Sequence, residues 1–235
     1  MKTIKFTEEN GGKEAWLNFR LGKWSGSKGK DIMSSRGGRK LGSYQLVAES
    51  ILGSAALAEE EDPMARGTRL EPESIARFRA ETGKKVDDSL IVWVREDDGR
   101  MMYSPDGVIS LTAAVETKSL SSARHLEAKI TGKIPKDYEP QAIQAFVVND
   151  KLKTLFFVFY DPRFPKGLDF FYFELTRKQF AKEIAEFLAF ERAELQWVRD
   201  TVNALTLHKA KENAVAGVPF VGTPALPKAT SPSAV

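Results

Sequence analysis

The run Ser104-Pro105-Asp106-Gly107, with Val115-Glu116-Thr117-Lys118 beginning eight positions beyond its glycine, constrains this chain more than any other feature. A strand alternates its side chains between two faces, so Glu116 and Lys118, two apart, project to the same side of a sheet. Proline fixes φ and glycine tolerates positive φ, so Pro105 and Gly107 are expected to leave Asp106 at a bend. Bend and strand together predict a pocket into which two carboxylates and one ammonium converge.

Those residue types suit phosphodiester hydrolysis. A hard cation is needed to neutralise charge at phosphorus, and Mg²⁺ is usually held by one or two carboxylates with water and substrate oxygens. Asp106 and Glu116 are the candidate ligands. Lys118 is the candidate group for orienting a water or stabilising developing charge. Short motifs recur by chance, so the pattern alone fits a charged hairpin about as well.

Composition narrows the classes. With no cysteine, disulfides, thiolate nucleophiles and iron–sulfur clusters are excluded, and two histidines are too few for a His-rich metal centre. A chain of 235 residues is long enough for one substantial α/β domain. The net charge of +3 decides little, but its distribution is uneven. Arg20, Lys23, Lys28, Lys30, Arg36, Arg39 and Lys40 face a single acid, Asp31, in a stretch rich in Gly and Ser, which suits a phosphate backbone. Met1 to Asn10 lacks the apolar core of a secretory signal, and the longest apolar run, Leu155 to Tyr160, is strand-length. The expectation is a cytoplasmic protein without a membrane span.

Periodicity and turn residues predict helices over Glu14–Leu21, Tyr44–Glu60, Gly67–Thr82, Tyr138–Val147 and Thr176–His208. Strands are predicted over Leu90–Val94, Met101–Ser104, Val108–Lys118, Leu152–Tyr160 and Phe170–Leu175. Residues 1–212 read as a single domain, and 213–235, with four prolines and no periodicity, as a disordered tail. Trp24 reads as core, His125 and His208 as surface residues, and Tyr160-Asp161-Pro162-Arg163 as a structural strand exit.

Five blocks occur in order: Trp16 with Phe19-Arg20-Leu21-Gly22 and Ser25-Gly26-Ser27; Arg66-Gly67-Thr68-Arg69-Leu70-Glu71; the two motifs above; Tyr138 with Gln141; and Tyr160-Asp161-Pro162-Arg163. This ordered set resembles the lambda exonuclease (YqaJ-like) family of phage alkaline exonucleases, within the PD-(D/E)XK nuclease group, from about Trp16 to Leu205. The resemblance implies a restriction-endonuclease-like α/β core, a central mixed sheet flanked by helices.

It also implies a Mg²⁺-dependent 5′-to-3′ exonuclease, Mn²⁺ able to substitute, acting on linear double-stranded DNA ends and leaving 3′ single strands for recombination. In that reading Asp106, Glu116, the Thr117 carbonyl and Glu71 hold metal, while Lys118 and Gln141 orient the attacking water. Arg20, Ser27 and Ser104 bind a terminal 5′ phosphate, and Lys28, Lys30 and Arg36 contact DNA backbone. Gln144 follows Gln141 by three residues where the family has two, and its role stays open. The implied partners are a homotrimeric ring around DNA and a single-strand annealing protein, in the host bacterial cytoplasm if the chain is phage-encoded. The rival readings are an endonuclease on the same core and a non-catalytic DNA-binding recombination protein.

Overall fold

The computed structural model describes residues 1–33, 43, 46, 50, 62–120, 122–164 and 166–216. Among them, eight strands form two four-stranded mixed sheets. In the first, β1 (Lys2–Phe6), β3 (Leu90–Val94), β4 (Met101–Tyr103) and β2 (Trp24–Ser25) lie in the spatial order β1-β3-β4-β2. In the second, β5 (Gly107–Ser110), β6 (Ala113–Lys118), β7 (Thr154–Tyr160) and β8 (Phe170–Thr176) lie in sequence order. The expected single central sheet is therefore two, because the chain bends between Tyr103 and Gly107 and changes partners there. A lone bridge from Asp87 to Val108 links the segment before β3 to the second sheet.

Strand β7 shows why the second sheet forms the middle of the molecule. Its Leu-Phe-Phe-Val-Phe run is buried on both faces, as a strand covered from both sides must be. Leu155, Phe157 and Phe159 join the larger core, with Trp24, Phe146, Phe187 and Leu195. Phe156 and Val158, on the opposite face, join Ile75, Phe78 and Val115. Ile75 and Phe78 belong to one helix, Asp62–Thr82, whereas Phe146 and the pair Phe187 and Leu195 come from two others, Glu139–Val148 and Ala181–Ala216. With Gly12–Phe19 as α1, Gly29–Ile32 as α2 and Ser122–Thr131 as α4, these three are α3, α5 and α6 in chain order. Strands β6 and β7 are parallel, so the chain must cross over between them, and α4 and α5 form that crossover.

Several boundaries differ from those expected. The Lys2–Phe6 strand was not foreseen. Its Ile4 and Phe6 pack beside Val92, Val94 and Met102 in a third small cluster. Helix α3 starts at Asp62 rather than Gly67 and carries Pro72 inside it. Helix α6 starts only after β8 and runs through Ala216, so residues 213–216 of the expected tail are helical; residues 217–235 lie outside the described ones. Most of the expected Tyr44–Glu60 helix also lies outside them.

Two readings are corrected. His125 is buried, not superficial: its ring stacks on Phe164, meets Phe171 edge-on, and Nε2 bonds the Leu168 carbonyl at 2.8 Å. Gly107 is not needed for a left-handed φ, since it is absent from the positive-φ glycines. It is needed for space, because a Cβ there would overlap Val86 Cγ1 and touch Ile75 Cδ1 at 3.4 Å. Gly107→Ala is expected to cost on the order of 1–3 kcal/mol, as overpacking a well-filled core does. A chemical-denaturation midpoint unchanged from wild type would refute that account.

Candidate active site

The site is built at the C-terminal end of β6. Glu116 and Lys118 pair in register with Phe157 and Phe159 of β7, which puts both on the face covered by α5 and α6. By strand alternation Thr117 falls on the opposite face, with Val115 beside α3. The local sequence alone produces this division, and helix placement then decides what each face meets.

On the α5 face, Glu116 is 1% exposed and fully engaged. Its Oε1 accepts from Lys118 Nζ at 2.5 Å and from Gln141 Nε2, and its Oε2 accepts from the Tyr103 hydroxyl. Lys118 Nζ also donates to the Thr117 carbonyl at 3.1 Å. On the other side, Asp106 Oδ2 accepts from the Thr117 amide at 2.7 Å and its hydroxyl at 3.0 Å, which ties the Pro105–Gly107 bend to β6. Strand and bend are thus locked together by the residue between the two charged ones.

Burial and neighbouring charges set the proton affinities of the site. Burial and the Asp106 charge push the Glu116 carboxyl up to about 7, although Lys118 and the Tyr103 hydrogen bond pull it down. Burial and the charges of Asp106 and Glu116 push Glu71, on α3, up to about 8. Burial disfavours the Lys118 ammonium, but Glu116 and Asp106 outweigh it and hold its pKa above the ordinary lysine value. Burial, then Glu116, keeps the Tyr103 phenol well above its usual range. Two carboxyls, Glu116 and Glu71, raised by burial and by the neighbouring Asp106 charge in a low-dielectric pocket, form a place where added positive charge is favourable.

Whether a divalent ion fits follows from the donors. Among the described residues, no three acidic, histidine or cysteine side chains form a ready-made cage. Mg²⁺ does not require one, since it binds through one or two carboxylates and keeps water or substrate oxygens as the rest. Asp106 Oδ1 accepts no hydrogen bond among the described residues, Glu71 makes none, and all the donors are hard oxygens. The residues present fit such an ion.

A second cluster adjoins this one. Arg20 Nη2 donates to Ser27 Oγ at 2.8 Å and Ser25 Oγ at 3.4 Å, and its guanidinium lies 4.4 Å from the centre of the Trp16 ring. Trp16 Nε1 donates to Ser104 Oγ at 3.1 Å, and Ser104 Oγ donates to the Ile91 carbonyl at 2.9 Å. Gly26, in the same turn, packs on Tyr103 and Gln141, where a Cβ would sit 2.9 Å and 3.1 Å from their atoms. The Arg20 turn therefore rests on two of the groups that grip Glu116.

The structure brings Glu71, Asp106, Glu116, Thr117, Lys118 and Gln141 into one site and Arg20, Ser27 and Ser104 beside it. Lys28 and Lys30 lie on the turn and short helix after Ser27, while Arg36 lies outside the described residues. Gln144 does not reach the site; it is buried against Met102 and Glu191. Glu73 accepts from the Tyr160 hydroxyl at 3.3 Å, which leaves Glu71 as the α3 acid coupled to the pocket. Sequence reasoning missed Tyr103, whose hydroxyl meets Glu116 from another sheet, and the Thr117 side chain. Nothing local could have shown Tyr103, but a Thr between the two charged residues was visible. Trp24 is fully buried, as expected. Asp161 is likewise buried, gripped by Arg163 at 2.7 and 2.8 Å and by Arg66 at 3.4 Å, which is a structural closure of the strand exit. Among the described residues no helix is long and apolar enough to cross a membrane.

Solved structures of exonucleases share this architecture. The alkaline exonuclease LHK-Exo from Laribacter hongkongensis is 28% identical, with a TM-score of 0.73 over 85% of this chain and 99% of that one. The same enzyme in complex with dAMP is matched at 27% identity and a TM-score of 0.67, over 82% of this chain and 100% of that one. A phage related exonuclease from Haemophilus somnus 129PT, 14% identical with a TM-score of 0.56 over 78% and 96%, shares the fold. No curated protein sequence matches the chain. Fold and likeness define a nuclease of the alkaline exonuclease kind. The chain belongs to the YqaJ-like viral recombinase domain family, whose model matches residues 15–151, more than half its length.

Proposed function

We propose that this protein is a Mg²⁺-dependent exonuclease that degrades one strand of linear duplex DNA from the 5′ end, leaving a 3′ single strand for recombination by annealing. The observation that carries the reading is Glu116 held by Lys118, Gln141 and Tyr103 beside Asp106, locked to Thr117, with Glu71 coupled to both acids. A bound Mg²⁺ would supply charge neutralisation at the phosphoryl group and a more acidic water. Asp106, Glu116, the Thr117 carbonyl and Glu71 would hold it, and Mn²⁺ would serve in its place.

The remaining work falls to the chain. Lys118, held protonated, donates to Glu116 Oε1 and the Thr117 carbonyl, so it orients a nucleophilic water and stabilises charge rather than accepting a proton. Gln141, which donates to the same carboxylate oxygen, would help hold that water. Arg20 supplies the preference for an end. Its planar fork, steadied by the Trp16 ring, suits a terminal phosphate, with Ser27 and, through Trp16, Ser104 in support. Lys28, Lys30 and Arg36 would contact the DNA backbone. The dAMP held by LHK-Exo, a nucleoside monophosphate, is the kind of product such a reaction releases. A three-subunit ring around DNA in the bacterial cytoplasm and an annealing protein as partner complete the reading.

The test compares matched linear duplexes carrying 5′-phosphate or 5′-hydroxyl ends at fixed salt, with a closed circle as a third substrate. The phosphorylated end is expected to be degraded faster, because a terminal phosphate carries nearly two charges and three free oxygens. Arg20→Ala should erase the difference, and Arg20→Lys should restore part of it. Equal wild-type rates on both ends would reject the phosphate anchor; cutting of the circle would favour an endonuclease.

A further inference from the structure

Helix α5 carries Gln141 on its first turn and Gln144 one turn on. Gln144 Nε2 donates to Glu191 Oε1 of α6 at 2.8 Å and to the Met102 carbonyl at 3.4 Å. Both residues are fully buried. Gln144 Oε1 and Glu191 Oε2 are left as buried oxygens with no hydrogen-bond partner. An ionised glutamate has no hydrogen to offer, so between these two side chains alone the oxygens are satisfied together by a proton carried on one of them.

Charges around the pair agree. Arg95, preceding the β3–β4 turn, is spent on Asp97 at 2.5 Å, Asp150 at 3.0 Å and the Val147 carbonyl. Arg192, next to Glu191 on α6, pairs with Asp97 at 2.6 Å. Asp98, from the same turn, adds a like charge and is itself bound by Arg100. No cation pairs with Glu191 among the described residues, and an isolated buried carboxylate takes up a proton instead.

We propose that Glu191 is carried as a neutral acid that donates Oε2–H to Gln144 Oε1, closing a two-hydrogen-bond ring that fixes α5 on α6 and so sets Gln141 against Glu116. Glu191 is thus a positioning residue. Burial pushes its carboxyl up to about 8 from the ordinary 4.5, against the pull of the Gln144 hydrogen bond. On ionisation the proton leaves to water, one ring bond is lost, and two acceptor oxygens face each other. The ring itself is independent of the nuclease reading; its effect on Gln141 rests on that reading.

The experiment uses the whole chain and Glu191→Gln, whose amide N–H can replace the acid O–H. Infrared difference spectra of wild type minus variant at pH 6.5 should show the C=O stretch of a protonated carboxylic acid, fading as pH rises through about 8. Absence of that band would overturn the proposal. The folded pKa is raised, so the stabilisation is complete below the free glutamate value and is lost as pH rises through the folded value. Wild-type melting temperature should therefore fall relative to Glu191→Gln from about pH 5 to 8 and stay level above. A difference constant from pH 5 to 9 would also overturn it. For the positioning role, wild-type kcat should drop severalfold relative to Glu191→Gln above pH 8 with KM unchanged. An unchanged kcat ratio, with the band present, would overturn that role alone, and absence of cleavage in both proteins at every pH would instead count against the proposed function.

Discussion

Replacing Glu116 by Gln, or Asp106 by Asn, is expected to lower the cleavage rate by about 10³ or more while DNA binding persists. The size follows from the several kcal/mol that a hard cation contributes at a phosphoryl transition state, at a factor of ten per 1.36 kcal/mol. Either substitution removes one carboxylate charge from the acidic pocket that the proposed reading assigns to the metal. Binding to DNA should survive, because Arg20, Lys28 and Lys30 lie outside that pocket. The same electrostatics give a pH dependence. A cation must displace protons from Glu116 and Glu71, held near 7 and 8, so Mg²⁺ affinity should rise with pH through that window and level off above it. Single-turnover rates on end-labelled duplex, gel-shift titration and calorimetry at pH 6 and 8.5 measure all three. More than a trace of wild-type turnover in both variants would remove these acids from the catalytic assignment.

The second large effect is at Lys118. Lys118→Ala should reduce kcat by roughly 10²–10³, the usual loss for one preorganised donor, with KM for DNA nearly unchanged. The ammonium is largely enclosed, bonded to Glu116 and the Thr117 carbonyl, so on the proposed reading its loss should fall on the chemical step rather than on DNA affinity. Should affinity collapse while turnover survives, Lys118 would be a phosphate contact and nothing more.

Much of this site is written in short-range pattern. The spacing of Glu116 and Lys118 specifies a common face in any strand, and both do meet the same environment under α5. Pro105 and Gly107 mark the bend at Asp106. The charge and small residues between Arg20 and Lys40 read as a loop suited to a phosphate backbone, and Arg20 and Ser27 do meet in one turn. The apolar run of β7 predicted a strand, and Trp24 was read as a core residue.

Other features depend on segments far apart in the chain. Tyr103 reaches Glu116 only because the first sheet ends where the second begins, and no periodicity within β4 encodes that. Gly107 looked like a residue chosen for its φ, yet it is the approach of Val86 that excludes a side chain. His125 carried the composition of a surface position, but Phe164 and Phe171 close over it. Gln144, in register with a site glutamine, turns to Glu191 because α6 packs there.

The sequence by itself determined the α/β class, the candidate trio Asp106, Glu116 and Lys118 and the shared face of Glu116 and Lys118, since these follow from backbone stereochemistry and local charge; Glu71 came only through the family resemblance. The tertiary structure alone decided which partners hold Glu116, how far burial and neighbouring charge raise the proton affinity of Glu116 and Glu71, and that there are two sheets rather than one. Those properties depend on burial and on distances between elements brought together by packing, and neither is encoded in the spacing of neighbours along the chain.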